Sequence, residues 1–255
     1  MRDSDYFAAP GVNKSSLWEL TRSPAHYRWA LEHPRADTAA LLLGRALHAA
    51  ILTPTAFRRD FAVLPEDLDR RTKAGRAAWD VFVTENRGKT ILTHDDAETV
   101  KSIAQAVKSN PQARELLKGT RREVALFWTD AESGLPCKAK LDAVRRGLIL
   151  DLKTTTDASL KAFTRDVVSR GYDVQAAHYL DGHRARYGEE ADFFFIAVEK
   201  TPPFAVAVYR LDEGFVEYGE RRRRELLDKL AECRENDFWP GYGEDELILP
   251  GYLEN

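Results

Sequence analysis

Cys137-Lys-Ala-Lys-Leu-Asp142 and Leu148-Ile-Leu-Asp-Leu-Lys153 are separated by only Ala143-Val-Arg-Arg-Gly147. In the first segment Cys137, Ala139, Leu141 and Ala143 alternate with polar neighbours, the two-residue period of a strand. The second is a short apolar run carrying one Asp and one Lys. Together they predict two antiparallel strands joined by a two-residue turn at Arg146-Gly147, where Gly supplies the positive φ that such turns need. In that register Arg145 faces Leu148, and counting outward sets Asp142 opposite Asp151. Facing residues share one sheet face with Cβ atoms about 4.5–5.5 Å apart. Lys153, two residues beyond Asp151, points to the same face.

Two carboxylates this close repel each other and need compensation. A hard divalent cation supplies it. Mg²⁺ takes oxygen ligands and keeps several waters, which leaves room for a phosphate oxygen and an attacking water. A neighbouring Lys can orient or deprotonate that water and offset the charge that builds on phosphorus. The chemistry implied is metal-assisted phosphodiester hydrolysis. The plainer alternative is a surface hairpin with Asp and Lys ladders. Acid-x-base tripeptides are common: a chain with 41 acids and 38 bases holds roughly six by chance.

Outward from the hairpin, Val124–Trp128 is β-branched and aromatic and is followed by the turn cluster Asp130–Gly134, so a three-strand meander is expected. Before it the sequence reads mostly as helix: Ala25–His33 opened by Ser23-Pro24, a helix capped by Thr38 and stopped at Thr53-Pro54, then Arg70–Glu85, and Asp95–Ser109 broken at Asn110-Pro111. After it come helices at Ala158–Ser169 and Val174–Tyr187, with Asp157 and Asp173 as expected caps. A hairpin of Phe193–Val198 and Phe204–Leu211, a charged helix Glu213–Glu235 and an irregular tail with Trp239-Pro-Gly-Tyr242 complete the chain. The expectation is one α/β domain over residues 1–255, with 1–120 mainly helical and 121–255 carrying a mixed central sheet flanked by helices.

Composition narrows the class. The net charge is −3, with 44% apolar and 31% charged residues, which is globular. Two cysteines, Cys137 and Cys233, are too few for a disulfide framework or a four-Cys metal site. The longest strongly apolar run, Phe193–Val198, is far short of a membrane span, and no apolar leader follows the charged start. A reduced, cytoplasmic protein without membrane contact is expected. The charge balance does not advertise nucleic acid, so any such contact must rest on local clusters.

His48 shares an apolar helical face with Leu41, Gly44, Ile51 and Leu52, where a histidine is more often part of the core than a ligand. Gln175 and Tyr179 stand one turn apart on one helix face. Glu123 lies on the first strand of the meander and is either solvent-facing or an additional ligand. Lys14, Ser16, Arg22 and Arg45 are candidate phosphate contacts, as is Thr154. Lys138, Lys140, Arg145 and Arg146 flank the carboxylates. Arg221–Arg224 reads as a solvated helix face among glutamates. Trp18, Tyr27 and Trp29 read as core, and His26, His178 and His183 carry no assigned role.

The ordered set of motifs resembles the PD-(D/E)xK nuclease superfamily, and within it the exodeoxyribonuclease VIII (RecE-type) and RecB-like branch. The segments that carry the resemblance are Pro10–Ser16, Arg22–Tyr27, Gly44-Arg-Ala-Leu-His48, Lys73–Trp79, Gly88-Lys89, Cys137–Asp142, Asp151-Leu-Lys-Thr154, Gly171-Tyr-Asp-Val-Gln175 through Tyr179, and Trp239–Tyr242. Leu141 stands where the superfamily name has Pro, a position without chemistry. The resemblance implies a restriction-endonuclease-like core. It makes His48, Asp142, Asp151 and the Leu152 backbone carbonyl metal ligands, with Glu123 as an additional one. It gives Lys153 the water and makes Gln175 and Tyr179 a motif that holds the active-site network or the DNA backbone. It implies an Mg²⁺-dependent exonuclease, with Mn²⁺ substituting, acting 5′→3′ on linear double-stranded DNA ends. Such an enzyme leaves 3′ tails for a RecT-type annealing protein in phage or prophage recombination, and works as a ring-like homo-oligomer. The alternatives are a helicase-associated RecB-like nuclease on single strands and a non-catalytic DNA-binding module of the same fold.

Overall fold

A computed structural model describes residues 3–33, 38–66 and 68–243; both ends of the expected 1–255 domain lie outside the described residues. The N-terminal part contains α1 (Asp3–Ala8), α2 (Lys14–Glu19), α3 (Pro24–Glu32), α4 (Ala39–Leu52) and α5 (Pro54–Asp60). A small parallel βαβ unit follows, β1 (Phe61–Val63), α6 (Lys73–Glu85) and β2 (Thr90–Leu92), then α7 (His94–Ser109) and α8 (Pro111–Leu117). The remainder is β3 (Arg121–Thr129), β4 (Pro136–Arg145), β5 (Leu148–Thr155), α9 (Leu160–Ser169), α10 (Tyr172–Tyr187), β6 (Asp192–Glu199), β7 (Val206–Arg210) and α11 (Glu213–Glu235).

Five strands form one mixed sheet in the order β3-β4-β5-β6-β7. Only β5 and β6 are parallel, and α9 with α10 makes the helical crossover that parallel pairing requires. β5 is central and covered on both faces, which is why it reads as an almost continuous apolar run. On one face Ile149, Phe193 and Phe195 pack against Phe163, Val167 and Ala176 of α9 and α10. On the other, Leu152, Ile196 and Val198 pack against Leu47, Ile51 and Ile103 of α4 and α7. This is the α/β architecture expected, a restriction-endonuclease-like mixed sheet flanked by helices.

Local chemistry sets the boundaries. Thr38, Ser23 and Thr93 accept the N–H bonds that open α4, α3 and α7. Neither Asp157 nor Asp173 is a cap. Asp157 instead accepts the Ser159 N–H at 2.8 Å, and α9 begins after Ser159. α10 begins after Gly171 at φ 63, so Asp173 falls inside its first turn, buried and paired with Arg222 at 2.6 Å. Pro54 does not simply stop a helix; it occupies the first turn of α5. The short elements α1, α2, α5, β1 and β2 were not expected, because three to seven residues carry too little periodicity.

The Arg221–Arg224 run also departs from expectation. Arg223 is 1% exposed and pairs with Asp130 at 2.7 Å and with Asp181. Arg224 pairs with Asp130 at 2.6 Å, and Trp128 donates to Asp181 at 2.7 Å. These bonds tie α11 to the β3–β4 turn and to α10, so the run is largely a structural network rather than a solvated face. Trp29, expected as core, is 59% exposed and stacks on His33. Tyr27 is buried and stacks on Trp239.

Two outcomes follow for stability. A Cβ on Gly171 would lie 2.3 Å from the Trp18 ring at a positive φ, whereas Gly188, also at positive φ, faces open space. Gly171→Ala is expected to cost at least about 1 kcal/mol more than Gly188→Ala in urea unfolding. His178 is fully buried with Nε2 3.1 Å from the Lys138 carbonyl; burial and then the Arg223 charge lower its pKa to about 3. The folded state therefore keeps it neutral while the unfolded chain protonates it near 6.5. Its contribution is complete above that value and is lost as pH falls toward about 3. Urea midpoints measured from pH 7 to pH 4 should fall more steeply for the parent than for His178→Gln.

Candidate active site

The β4–β5 hairpin takes the expected register at its turn: Arg145 faces Leu148, Val144 faces Ile149, Ala143 faces Leu150, and Gly147 has φ 71. There the ladder ends. Asp142 and Asp151 do not form the directly facing pair that counting outward predicts. Instead the Leu152 N–H donates to Asp142 Oδ2 at 2.8 Å. The reason lies in the neighbouring backbone. Glu123 on β3 adopts φ 53 and drops out of the β3–β4 ladder between Arg122–Ala143 and Val124–Leu141. Leu141 and Val144 join the same core although they are three residues apart, so β4 changes face at Asp142. A non-glycine residue in the left-handed region costs on the order of 1 kcal/mol, and such strain gathers at functional sites. The strands fork, and the Asp142 carboxylate fills the fork. Because the N–H and C=O of one strand residue point to the same side, the Leu152 carbonyl faces the fork as well.

From α4, His48 brings Nδ1 to 3.3 Å from Asp142 Oδ1. Ligand atoms of His48, Glu123 and Asp142 all lie within 4.8 Å of one another. Glu123 is held by Lys140 at 2.5 Å. On the other branch, Asp151 is 2% exposed. Its Oδ1 accepts from Gln175 Nε2 at 2.6 Å, and its Oδ2 sits 2.6 Å from Lys153 Nζ. That contact is a buried, charge-assisted pair. Lys153 Nζ also donates to Gln175 Oε1 at 3.0 Å and stands 4.5 Å over the Tyr172 ring.

The charges are coupled. Burial raises the pKa of Asp151, and the nearby Asp142 charge raises it further, against the opposing pull of Lys153. Burial would raise Asp142 too, but the His48 charge and hydrogen bond outweigh it and hold this carboxyl below its ordinary value. Burial likewise opposes charge on His48 and Lys153, and the two carboxylates overcome it and raise both. Lys153 holds its ammonium beside both carboxylates, where it can orient water and offset negative charge. Burial, then Asp142, raises Glu123.

The site thus gathers His48, Glu123, Asp142, Asp151, Leu152, Lys153 and Gln175. Tyr179, one turn beyond Gln175 on α10, is half-buried, and burial pushes its phenol well above the usual value. Lys14 of α2 lies beside this group: its Nζ donates to the Arg170 carbonyl at 2.6 Å, and burial followed by the Lys153 charge lowers its pKa to about 7. Ser16 is committed to the start of α2, with its hydroxyl donating to the Asn13 carbonyl. Arg22 is exposed and 4.0 Å from Glu19. Arg45 is exposed on α4. Thr154 has the parity of Leu152 and so points away from Asp151 and Lys153. Lys138 does not flank the carboxylates; it is buried, and its Nζ donates to the carbonyls of Tyr6, Phe7 and Ala9 at the C-terminal end of α1. Arg146 pairs with Glu189 at the turn. Gly44 has open space around it, so no backbone approaches it. Sequence reasoning gave no role to Tyr172, under Lys153, or to the Lys140–Glu123 pair. Tyr172 was findable, since it precedes Gln175 by three residues on one helix face.

A family model described as a PDDEXK-like domain of unknown function (DUF3799) matches residues 14–248. The chain belongs to this PDDEXK-like family. Among solved structures, a Eubacterium rectale protein provisionally named an exonuclease is similar over 93% of this chain and 87% of its own, at 15% identity and a TM-score of 0.65. A phage-related exonuclease from Haemophilus somnus 129PT matches over 92% of this chain and 99% of its own, at 12% identity and a TM-score of 0.38. At such identity the first likeness shows the fold alone, and the second adds nothing to it. No curated protein matches the sequence. No described helix is long and apolar enough to cross a membrane.

The donor set fits a divalent cation: ligand atoms of His48, Glu123 and Asp142 cluster within 4.8 Å, and the Leu152 carbonyl faces the same fork. Titrating Mn²⁺ into the parent should raise its unfolding temperature, with about 2.7 kcal/mol of stabilisation at a hundredfold excess over Kd. In Asp142→Asn that metal-dependent shift should shrink to less than a third.

Proposed function

We propose that this protein is an Mg²⁺-dependent exodeoxyribonuclease, with Mn²⁺ able to substitute, acting on the ends of linear double-stranded DNA. The observation that carries this reading is the forked hairpin, which holds Asp142, Asp151 and Lys153 together with Gln175 bridging the last two. His48, Asp142, Asp151 and the Leu152 carbonyl, with Glu123 in addition, would hold the cation. When bound, the cation would polarise a phosphate oxygen and acidify a water.

The chain's own residues do the rest. Gln175 donates to Asp151 and accepts from Lys153, fixing both head groups. Lys153 orients the attacking water and offsets the charge that grows on the phosphate oxygens. Tyr172 supports the ammonium from below. Lys14, whose Nζ donates to the Arg170 carbonyl beside the site, would be a further contact for a neighbouring phosphate. The family resemblance supports 5′→3′ polarity, 3′ single-stranded products for a RecT-type annealing partner, a ring-like homo-oligomer, a cytoplasmic setting and one nuclease domain over 1–255.

The test is incubation of the protein with linear duplexes labelled at either the 5′ or the 3′ end, in Mg²⁺ or EDTA, beside Asp151→Ala. Loss of duplex only with metal and only in the parent is expected, with the 5′ label released first. Binding without turnover would point to a non-catalytic module. Degradation of single strands alone would point to the helicase-associated alternative.

A further inference from the structure

α6 is a 13-residue helix with no buried residue. Val81 is 56% and Val83 37% exposed. A helix of this length is marginal in water by itself, and β-branched residues weaken it further. Its contacts are largely with its own flanks. Arg70 lies 4.2 Å over the Trp79 ring, and Gly75 is so close to the Asp69 carbonyl that a Cβ would not fit. No hydrogen bond or ion pair among the described residues joins it to His48, Asp142, Asp151 or Lys153.

The charge of this lobe runs against that of the chain. Six cations and five carboxylates lie between Phe61 and Leu92, a net charge of +1 in a protein of net charge −3, and four of the cations fall within Arg70–Arg76. Asp69 is bound by Arg71. Lys73 and Arg76 are exposed and have no carboxylate partner among the described residues. Val63 of β1 also lines a groove of about 420 Å³ together with Arg58, Lys101 and Lys108, in which Lys101 pairs with Glu98 at 3.3 Å.

Resting on the nuclease reading above, we infer that the β1–α6–β2 lobe is a second, non-cleaving contact for duplex DNA, with Lys73, Arg76, Arg87 and Lys89 meeting backbone phosphates. Charge complementarity selects this occupant. Four cations fall within Arg70–Arg76 at the start of α6, of which Lys73 and Arg76 have no carboxylate partner among the described residues; such a cluster suits a polyanion, and released counterions drive such contacts. Contact with DNA would also supply the order that α6 does not get from burial.

The experiment compares the parent with Lys73→Gln/Arg76→Gln. Binding of a fluorescent linear duplex is measured in EDTA over a salt series. The double variant is expected to bind about tenfold more weakly at low salt, and to lose about one to two units from the slope of log K against log salt, since each phosphate contact contributes about 0.9. Its melting temperature and its Mg²⁺-dependent hydrolysis of bis(4-nitrophenyl) phosphate should match the parent. If that variant melts early, Arg87→Gln/Lys89→Gln is read in its place by the same criteria. Unchanged affinity and slope overturn the inference. So does a change in oligomeric state on sedimentation, which would make the lobe an interface between copies. Should the parent degrade duplex while the double variant binds equally well, only the lobe reading fails. Should the parent neither bind nor hydrolyse, both readings fail.

Discussion

The carboxylate of Asp142 satisfies a backbone N–H that another strand would ordinarily satisfy. Where β4 and β5 part, Leu152 still needs an acceptor, because a buried N–H without one costs about 1–3 kcal/mol. A side chain meets that need, so a negative charge enters the sheet. Much else in the centre of the protein answers to this. An uncompensated buried charge costs several kcal/mol. His48 approaches Asp142 from one helical layer, and Lys153 lies near enough to act on it. Glu123, beside the same fork, takes Lys140. The positive φ of Glu123 and the face change of β4 are the backbone's side of the same distortion.

The two helical layers bring different things to the fork. α4 carries His48 on the side where Leu47 and Ile51 are buried, so its place is set by hydrophobic packing on Leu152 and Ile196. α10 carries Tyr172 and Gln175 on the opposite side, and α10 is in turn held by α11 through Asp173–Arg222 and Asp181–Arg223. Removing one partner from such a buried network strands the other charge, which makes these pairs costly to break. Order at Gln175 therefore depends on ion pairs well outside the site. The same α10 buries His178 against the Lys138 carbonyl, while the Lys138 ammonium closes the end of α1. The first turns of the chain are thus bonded to the strand that supplies Asp142.

Much of this was legible in the residues. Alternation at Cys137–Ala143, the glycine at 147 and the apolar run at 148–152 specified two strands and their turn, since each is a local signal. Thr38 and Ser23 announced helix starts for the same reason. Asp157 and Asp173 misled, because acidity before a helix suits both a cap and a partner for a distant cation, and spacing cannot separate the two. Trp29 and Arg223 misled in the opposite sense. The aromatic ring stayed outside and the guanidinium went in, because Asp130 and Asp181 converge on Arg223 from the β3–β4 turn and from α10.

His48, Glu123 and Gln175 entered the site only through the family resemblance; by itself the sequence determined the hairpin, its register near the turn and the sheet-and-helix class. Those follow from periodicity and turn chemistry, which act over a few neighbours. Only the tertiary structure decided that Asp142 and Asp151 part at a fork instead of facing each other. It alone decided that Asp142 joins His48 and Glu123 while Asp151 joins Lys153 and Gln175. The fork arises where β3, β4 and β5 compete for the same backbone groups under two packed helical layers, and that competition involves residues up to about a hundred positions apart, as from His48 to Asp142.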